Sequence, residues 1–291
     1  MVAAVIPTRN RSTAAARAVA SVRAQTRPVA EVVVVDDASD PEHRRALAAL
    51  ATPGVRVERS DVRIRGAAAR NRGVGASTSP LLAFLDDDDV WEPDKVARQA
   101  ALFAAPEVAW SWTAYRIVDP ETAALMDEVR PRQADFASLL RRSALACSTL
   151  MVRREAFAAI GGFDETLPRN QDWDLFLRLA RDHRGAYLDQ PLTVMNRSVP
   201  DARACIDGRH RLLDKWRDAV DALPAAARRA VLAEHHGLLW GNYAQLGDLA
   251  AERYHAVRAL ALNPWAARHY RGLLLTVLHH LGWRGRFAGR G

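Results

Sequence analysis

Cysteine is scarce: Cys147 and Cys205 are the only two. That is too few for a thiolate metal site or a disulfide framework, and both read as packing residues of a reducing, cytoplasmic compartment. No stretch approaches the roughly 18 consecutive apolar residues that span a bilayer, which argues against a membrane-spanning helix. The apolar start, Met1 to Pro7, lacks a basic lead, a full apolar core and a cleavage site, so it reads as a first strand and not a signal peptide. No Gly-rich turn follows that strand, and no Gly-Lys-Ser/Thr phosphate loop occurs anywhere. These absences weigh against a nicotinamide dehydrogenase and a P-loop nucleotide hydrolase. Without a dense Lys/Arg tract or a module of stacking aromatics, nucleic acid is not an expected partner.

What is present is the composition of an ordinary globular protein, 49% hydrophobic and 26% charged over 291 residues. That length accommodates one domain of about 200 residues and a smaller appendage; the expected division is 1–200 and 201–291. A net charge of +7 suits polyanionic partners, among them anionic lipid and diphosphate-bearing small molecules.

Val2 to Ile6 and Val32 to Val35 are short, β-branched, nearly continuous apolar runs, as in parallel strands covered on both faces. Between them, Ser12 to Ala24 has helical spacing, with Ser12 or Thr13 as the expected cap. A helix over Glu42 to Leu50 and a strand over Val55 to Glu58 complete a βαβαβ opening, which predicts an open, mostly parallel α/β sheet flanked by helices. Ligands of such sheets bind at the carboxyl ends of the strands. Three polar clusters stand there in sequence: Pro7-Thr8-Arg9-Asn10, Asp36-Asp37 and Asp86 to Asp89. The last follows the apolar run Leu81 to Leu85, and its four like charges repel unless a cation or donor groups compensate. Carboxylate oxygens suit hard divalent cations such as Mg2+ or Mn2+; a solvated acidic loop is the plainer account of the same run.

Further on, Gly66 to Gly73 reads as a small-residue helix bearing Arg70. Val108 to Trp112, Tyr115 to Val118 and Thr149 to Val152 read as strands, and Gly161-Gly162 as a tight turn. Trp173, Phe176, Leu177 and Leu179 lie on one helical face. Asp172 stands at that helix's first turn, a common place for a capping aspartate.

The blocks VIPTRN, VVVVDDASD, ARNRG, FLDDDDVWEPDK, GGFDE and QDWDLFLRL, in this order across residues 2–180, resemble the family 2 glycosyltransferases of the GT-A fold. The resemblance implies a metal-dependent, inverting transfer of a sugar from a nucleoside diphosphate donor to a hydroxyl of a saccharide, lipid-linked or other acceptor, with Mn2+ or Mg2+ as cofactor. Carried over by residue, it implies that Pro7, Thr8 and Arg9 line the nucleotide pocket. One of Asp36 and Asp37, with Asp37 preferred, accepts from the base, and Arg70 lies near the base or diphosphate. The metal motif falls on Asp86 and Asp88, with Asp87 in the variable place beside the donor; four consecutive aspartates leave its register open by one residue. Asp88 is taken as the direct metal ligand and Asp86 as the ribose or metal-water partner. Asp172 becomes the general base, preceded by Gln171 where the family often has Glu, and Arg65-Gly66 replaces the usual Asn-Gly. The rival readings are a nucleotidyltransferase and a nucleotide-sugar-binding scaffold without turnover.

The last third reads as helical over His210 to Leu223, Ala225 to Leu246, Leu249 to Leu262 and Trp265 to Leu281. It either packs as core or, through an acid-free end carrying Arg268, Arg271, Arg284, Arg286 and Arg290, lies on an anionic membrane surface. The pairs His235-His236 and His279-His280 lack metal-ligand spacing and read as surface or packing residues.

Overall fold

A computed structural model of the chain describes residues 1–197, 200–266 and 270. They fall into two compact units: Met1–Leu139 with Ser143–Leu167 and Gln171–Val199, and Leu140–Arg142 with Pro168–Asn170 and Pro200 onward.

The chain opens with β1 (Val2–Thr8), α1 (Ser12–Arg23), β2 (Glu31–Asp37), α2 (Pro41–Ala48), β3 (Val55–Ser60), α3 (Arg65–Gly75) and β4 (Leu81–Phe84). Then follow β5 (Val90–Trp91), α4 (Lys95–Ala101), β6 (Trp110–Val118), β7 (Leu125–Val129), α5 (Phe136–Arg141), β8 (Met151–Arg153), α6 (Arg154–Ala159), α7 (Gln171–Asp182) and β9 (Gly185–Asn196). One sheet runs in the order β3-β2-β1-β4-β8-β6-β9-β5, with β7 added to β6. The opening strands β3, β2, β1 and β4 are all parallel. β8 then runs antiparallel to both β4 and β6, so the sheet is α/β and mixed.

Register decides where the polar clusters go. Thr8 lies opposite Asp36, and Val5 opposite Phe84. The segments that leave β1, β2 and β4 therefore emerge at one sheet edge. Continuous burial of Val2 to Ile6, Val32 to Val35 and Leu81 to Leu85 holds that edge in place; each such side chain contributes about 1.5–3 kcal/mol on leaving water. α3 lies close on the sheet because residue 73 has no side chain: a Cβ there would overlap Val5 Cγ1 and stand 3.1 Å from Val35 Cγ2.

Several expectations are corrected. The strands read at Val108 to Trp112 and Tyr115 to Val118 are one strand, β6, kept continuous through register shifts against β9 around Ala114. The expected cap of α1 is absent: Ser12 is already helical and its hydroxyl meets His43 Nδ1 at 3.0 Å, while Arg11 stands before the helix with no side-chain cap. β5, β7 and β9 carry too little alternation to be read from sequence.

The second unit holds α8 (Ala202–Lys215), α9 (Arg217–Asp221), α10 (Ala225–Leu246) and α11 (Leu249–Leu262). The helix expected over His210 to Leu223 is thus two, interrupted at Trp216. α10 ends on Gly247 at φ 70°, the left-handed C-terminal stop glycine favours. Asp248 then caps α11 by accepting the Ala251 N–H at 3.0 Å. His235 is buried with Nε2 2.9 Å from the Leu140 carbonyl, and His236 Nδ1 meets His255 Nδ1 at 2.8 Å, both packing roles. Among the described residues no helix is long and apolar enough to cross a membrane. The expected C-terminal helix beyond Ala266 and the pair His279-His280 lie outside the described residues, Tyr270 apart.

Candidate active site

The site is built at the carboxyl ends of β1, β2 and β4, entirely within the first unit. Thr8, the last residue of β1, is buried and donates its hydroxyl to Asp87 Oδ2 at 2.6 Å. Asp87 itself is 1% exposed. Burial pushes its carboxyl up to about 6; the Thr8 hydroxyl and Arg11 oppose the rise, and Asp88 and Asp86 add to it. Asp89 is raised well above the usual carboxylate range, first by burial and then by Asp86, against a hydrogen bond from Ser148.

Two arginines answer the four acids. Arg70, on α3, is buried, ion-pairs with Asp86 Oδ1 and lies 5.5 Å over the Phe163 ring. Burial is the largest single influence and lowers its pKa, but Asp86, Cys147 and Asp172 together raise it, so the guanidinium stays charged. Arg11 reaches Asp87 Oδ1 at 2.6 Å and Asp88 Oδ2 at 2.7 Å, with its own side chain 53% exposed.

Behind the acids, Ser148 accepts the Asp86 N–H at 3.0 Å and donates to Asp89 Oδ2 at 2.6 Å. Asn196, at the end of β9, donates to the Asp88 carbonyl. The acidic run is thus an ordered turn, held from β1, β9 and the segment before β8.

Asp172 stands in the first turn of α7 and accepts the Trp173 N–H at 2.8 Å. Its charge, like that of Asp86, helps raise the pKa of Arg70 and of the buried Cys147, so both carboxylates act on one guanidinium. Gln171 comes close to the same group: a Cβ on Gly66 would stand 2.9 Å from Arg70 Nη1 and 3.7 Å from Gln171 Nε2. Glycine at 66 lets α3 and α7 converge there.

The neighbouring motif residues are scaffolding. Asp174 is fully buried and takes Arg178 Nε and Nη2 at 2.9 and 2.7 Å, while Arg178 Nη1 holds the Ile160 and Gly162 carbonyls at 2.6 and 2.5 Å. Asn71 closes the same turn, exchanging hydrogen bonds with the Phe163 backbone at 2.9 Å in both directions. The ARN, GGFDE and QDWD blocks are therefore one physical assembly.

Not every expected residue joins the centre. Asp37 accepts the Ile64 and Arg65 N–H groups at 2.5 and 3.0 Å, anchoring the start of α3. Asp36 binds the Ser39 N–H at 2.9 Å and Arg59 at 2.7 Å. Pro7 is half-buried on β1, and Arg9 is exposed just past it. Three non-glycine residues on these connections adopt left-handed backbone, Asn10 at φ 55°, Ala38 at 55° and Arg65 at 69°; asparagine tolerates this, while Ala38 and Arg65 each cost about 1–2 kcal/mol. Sequence reasoning missed Arg11 and Ser148. Arg11 directly follows the VIPTRN block, and that adjacency was its only signal. Ser148 lies 59 residues from Asp89 and gives none.

A divalent cation fits the donor set. Asp86 and Asp88 offer hard oxygen ligands on side chains 34% and 32% exposed, and each arginine contact engages one oxygen of its carboxylate. Among the described residues no three His, Cys, Asp or Glu side chains are preassembled as a cage. That matches ions held by one or two carboxylates and completed by phosphate and water.

The family model for Glycosyl transferase family 2 matches residues 3–161. The Escherichia coli UDP-Glc:alpha-D-GlcNAc-diphosphoundecaprenol beta-1,3-glucosyltransferase WfgD is 22% identical over 183 residues, 63% of this chain and 71% of its own. The putative teichuronic acid biosynthesis glycosyltransferase TuaG of Bacillus subtilis is 27% identical over 165 residues, 53% of this chain and 63% of its own length. Among solved structures, S. aureus TarS 1-349 in complex with UDP-GlcNAc superposes at TM-score 0.64 and 14% identity, covering 98% of this chain and 93% of that one. The mannosyltransferase PcManGT from Pyrobaculum calidifontis, in complex with GDP-Man and Mn2+, gives 0.58 at 20% identity, with 96% and 86% covered.

Proposed function

The chain belongs to glycosyl transferase family 2, the nucleotide-sugar-dependent glycosyltransferases, and from that premise we propose a metal-dependent, inverting transfer with Asp172 as general base. The observation that carries it is that Arg70, ion-paired to Asp86, meets the start of α7 at Gly66, where Gln171 beside Asp172 comes close, and that Asp172's charge acts on the same guanidinium. A base for the acceptor and a carboxylate for the donor then serve one reaction centre.

In this reading the acceptor hydroxyl oxygen attacks the anomeric carbon while the carbon–oxygen bond to the diphosphate breaks on the opposite face. Asp172 takes the hydroxyl proton during attack, a contribution worth about 100- to 10,000-fold. Pro7, Thr8, Arg9, Asp36 and Asp37 border the nucleotide. Asp36 and Asp37 do so chiefly by fixing the loops after β2 and before α3, since their carboxylates already hold Arg59 and the α3 N–H groups. Asp88 and Asp86 would hold Mn2+ or Mg2+, with Asp87 locked behind them by Thr8. When bound, such an ion supplies Lewis-acid neutralisation of the departing diphosphate. Arg70 keeps Asp86 aimed.

The Escherichia coli relative's name specifies a diphosphoundecaprenol-linked acceptor, and other relatives are named for succinoglycan and amylovoran biosynthesis. A saccharide or lipid-linked acceptor of polysaccharide assembly is the corresponding proposal here, with residues 1–200 as the transferase domain and 201–291 as a helical region. Family membership sets aside the nucleotidyltransferase reading.

The test is a panel of labelled UDP-, GDP- and dTDP-sugars with Mn2+ or Mg2+, run on wild type and Asp172→Asn. Wild type should form product with one donor class, and the variant should lose at least about 100-fold in kcat. Its donor affinity should stay within about threefold by calorimetry, since only an interaction made in the transition state is removed. Unchanged turnover in the variant overturns the base assignment. Donor binding by wild type without any transfer would favour the scaffold reading.

A further inference from the structure

Arg11 occupies Asp88, one of the two carboxylates a cation would need, together with its neighbour Asp87. Its two contacts, at 2.6 Å to Asp87 and 2.7 Å to Asp88, form a fork across successive aspartates. The two arginines of the site differ in freedom. Arg70 is buried, covers the Phe163 ring and is locked to Asp86. Arg11 lies 53% open to solvent, anchored just before α1, on a long side chain that can swing. With both arginines in place the acidic turn is largely neutralised from within, which is why four adjacent aspartates are tolerated at a buried strand end. A second positive charge settling on the free oxygen of Asp88 is repelled by the guanidinium that holds the other, like charges at contact distance.

We infer that Arg11 is an internal counter-ion that guards the metal position: it leaves Asp88 when a divalent cation arrives and then donates to the diphosphate oxygens of the nucleotide. The chemistry favours the exchange in that order. A guanidinium matches a carboxylate and a phosphate equally well through its planar fork of donors. Asp88 gains a doubly charged partner, and Arg11 gains an anion carrying more charge than the carboxylate it left. The position of Arg11 at the amino end of α1 also places it where N–H groups and the helix dipole already favour phosphate. The consequence is coupling: cation alone binds weakly, nucleotide alone binds weakly, and each strengthens the other by relieving the cost of moving Arg11. This rests on the transferase-site reading above for the identity of the ligands, but not for the competition itself.

Calorimetric titration separates the two. Mn2+ alone, and UDP and GDP each with saturating Mn2+, are titrated into wild type, Arg11→Ala and Arg11→Lys, with melting curves to confirm folding. Removing the guard should tighten Mn2+ alone by about tenfold and weaken the better nucleotide by about tenfold, each tenfold being 1.4 kcal/mol. Arg11→Lys, which keeps the charge but loses the fork, should fall between. A structural role for Arg11 would not raise metal affinity. Arg11→Ala binding Mn2+ no tighter than wild type, including no detectable binding by either, overturns the inference. A wild type that takes neither nucleotide, beside an Arg11→Ala variant that still gains Mn2+ affinity, overturns the transferase-site reading and leaves the guard standing.

Discussion

Lys95 puts an ammonium where no water reaches. It is fully buried on α4, donates to Gln99 Oε1 at 2.7 Å and lies 4.2 Å over the Trp91 ring. Burial pushes its pKa down to about 7, against a small pull the other way from Cys147. An unfolded lysine holds its proton to about pH 10.4. Between these values the unfolded chain binds more protons than the folded one, so Lys95 makes stability rise with pH across that window and is most costly below it. The chain has only one other lysine, Lys215, and burial raises the Cys147 thiol, which pulls stability the other way above about pH 8.5 in wild type and variant alike. The Lys95 signal is therefore read as the difference between wild type and a variant lacking the amine. Lys95→Met keeps the volume and the stacking on Trp91 but leaves Gln99 Oε1 without its donor, at about 1–3 kcal/mol. Urea unfolding at pH 7, 8 and 9 should show the wild type gaining stability relative to the variant by up to about 1.4 kcal/mol per pH unit. Parallel slopes in the two proteins would refute a buried, deprotonating Lys95. The side chain also bears on the site, because Gln99 Nε2 holds the Thr149 carbonyl at 2.9 Å, next to the Ser148 that grips Asp86 and Asp89.

Elements rather than side chains set how closely the site's parts approach, and α3 is the clearest case. Gly73→Ala would drive a methyl into Val5 and against Val35, two fully buried strand residues that cannot yield. Overpacking of this kind costs about 1–3 kcal/mol, and a fall in melting temperature of about 2–6 °C is expected. Because α3 carries Arg70, the same variant should loosen Asp86 and weaken donor binding; an unchanged melting temperature would show that α3 can lift off the sheet freely. This element also shows what a sequence can disclose. Residues 66–73 read as a small-residue helix beside an acidic strand end because small residues at helical spacing and a β-branched run each have a local cause. The pairing of Arg70 with Asp86 was foreseen only as a neighbourhood, since the ion pair depends on the depth at which α3 sits. β5, β7 and β9 were invisible for a different reason: β9 joins β6 through shifted register, and β5 is two residues whose strand pairing, among the described residues, is with β9. Their existence depends on partners, not on their own pattern. Arg11 and Ser148 escaped likewise, as their roles exist only once residues 77 and 59 positions away are brought beside them.

At the scale of the molecule, charge is unevenly placed. The first unit spends many of its arginines inside, on carboxylates and carbonyls: Arg70 on Asp86, Arg178 on Asp174, and Arg153 on the Phe103 and Val108 carbonyls. Arg70 and Arg178 add little to the field felt by a distant partner, because each is matched by a carboxylate at contact distance. The stretch 265–291 differs in composition: it has five arginines, Trp265, Trp283 and Phe287, and no acid to offset them. It supplies much of the net +7, and arginines interleaved with aromatics are suited to the boundary of an anionic bilayer. If that stretch carries the attraction, the full chain should cosediment with phosphatidylcholine vesicles containing phosphatidylglycerol and not with phosphatidylcholine alone. Binding should decline steeply as NaCl rises from about 0.1 to 0.5 M, where the screening length falls to a few ångströms. A chain ending at Pro264 should lose most of the binding while keeping its affinity for Mn2+ and nucleotide, because every residue placed at the candidate site lies before residue 200. Equal sedimentation of the shortened chain would move the attraction onto the remaining surface and deny the C-terminal stretch a part in reaching a lipid-linked acceptor.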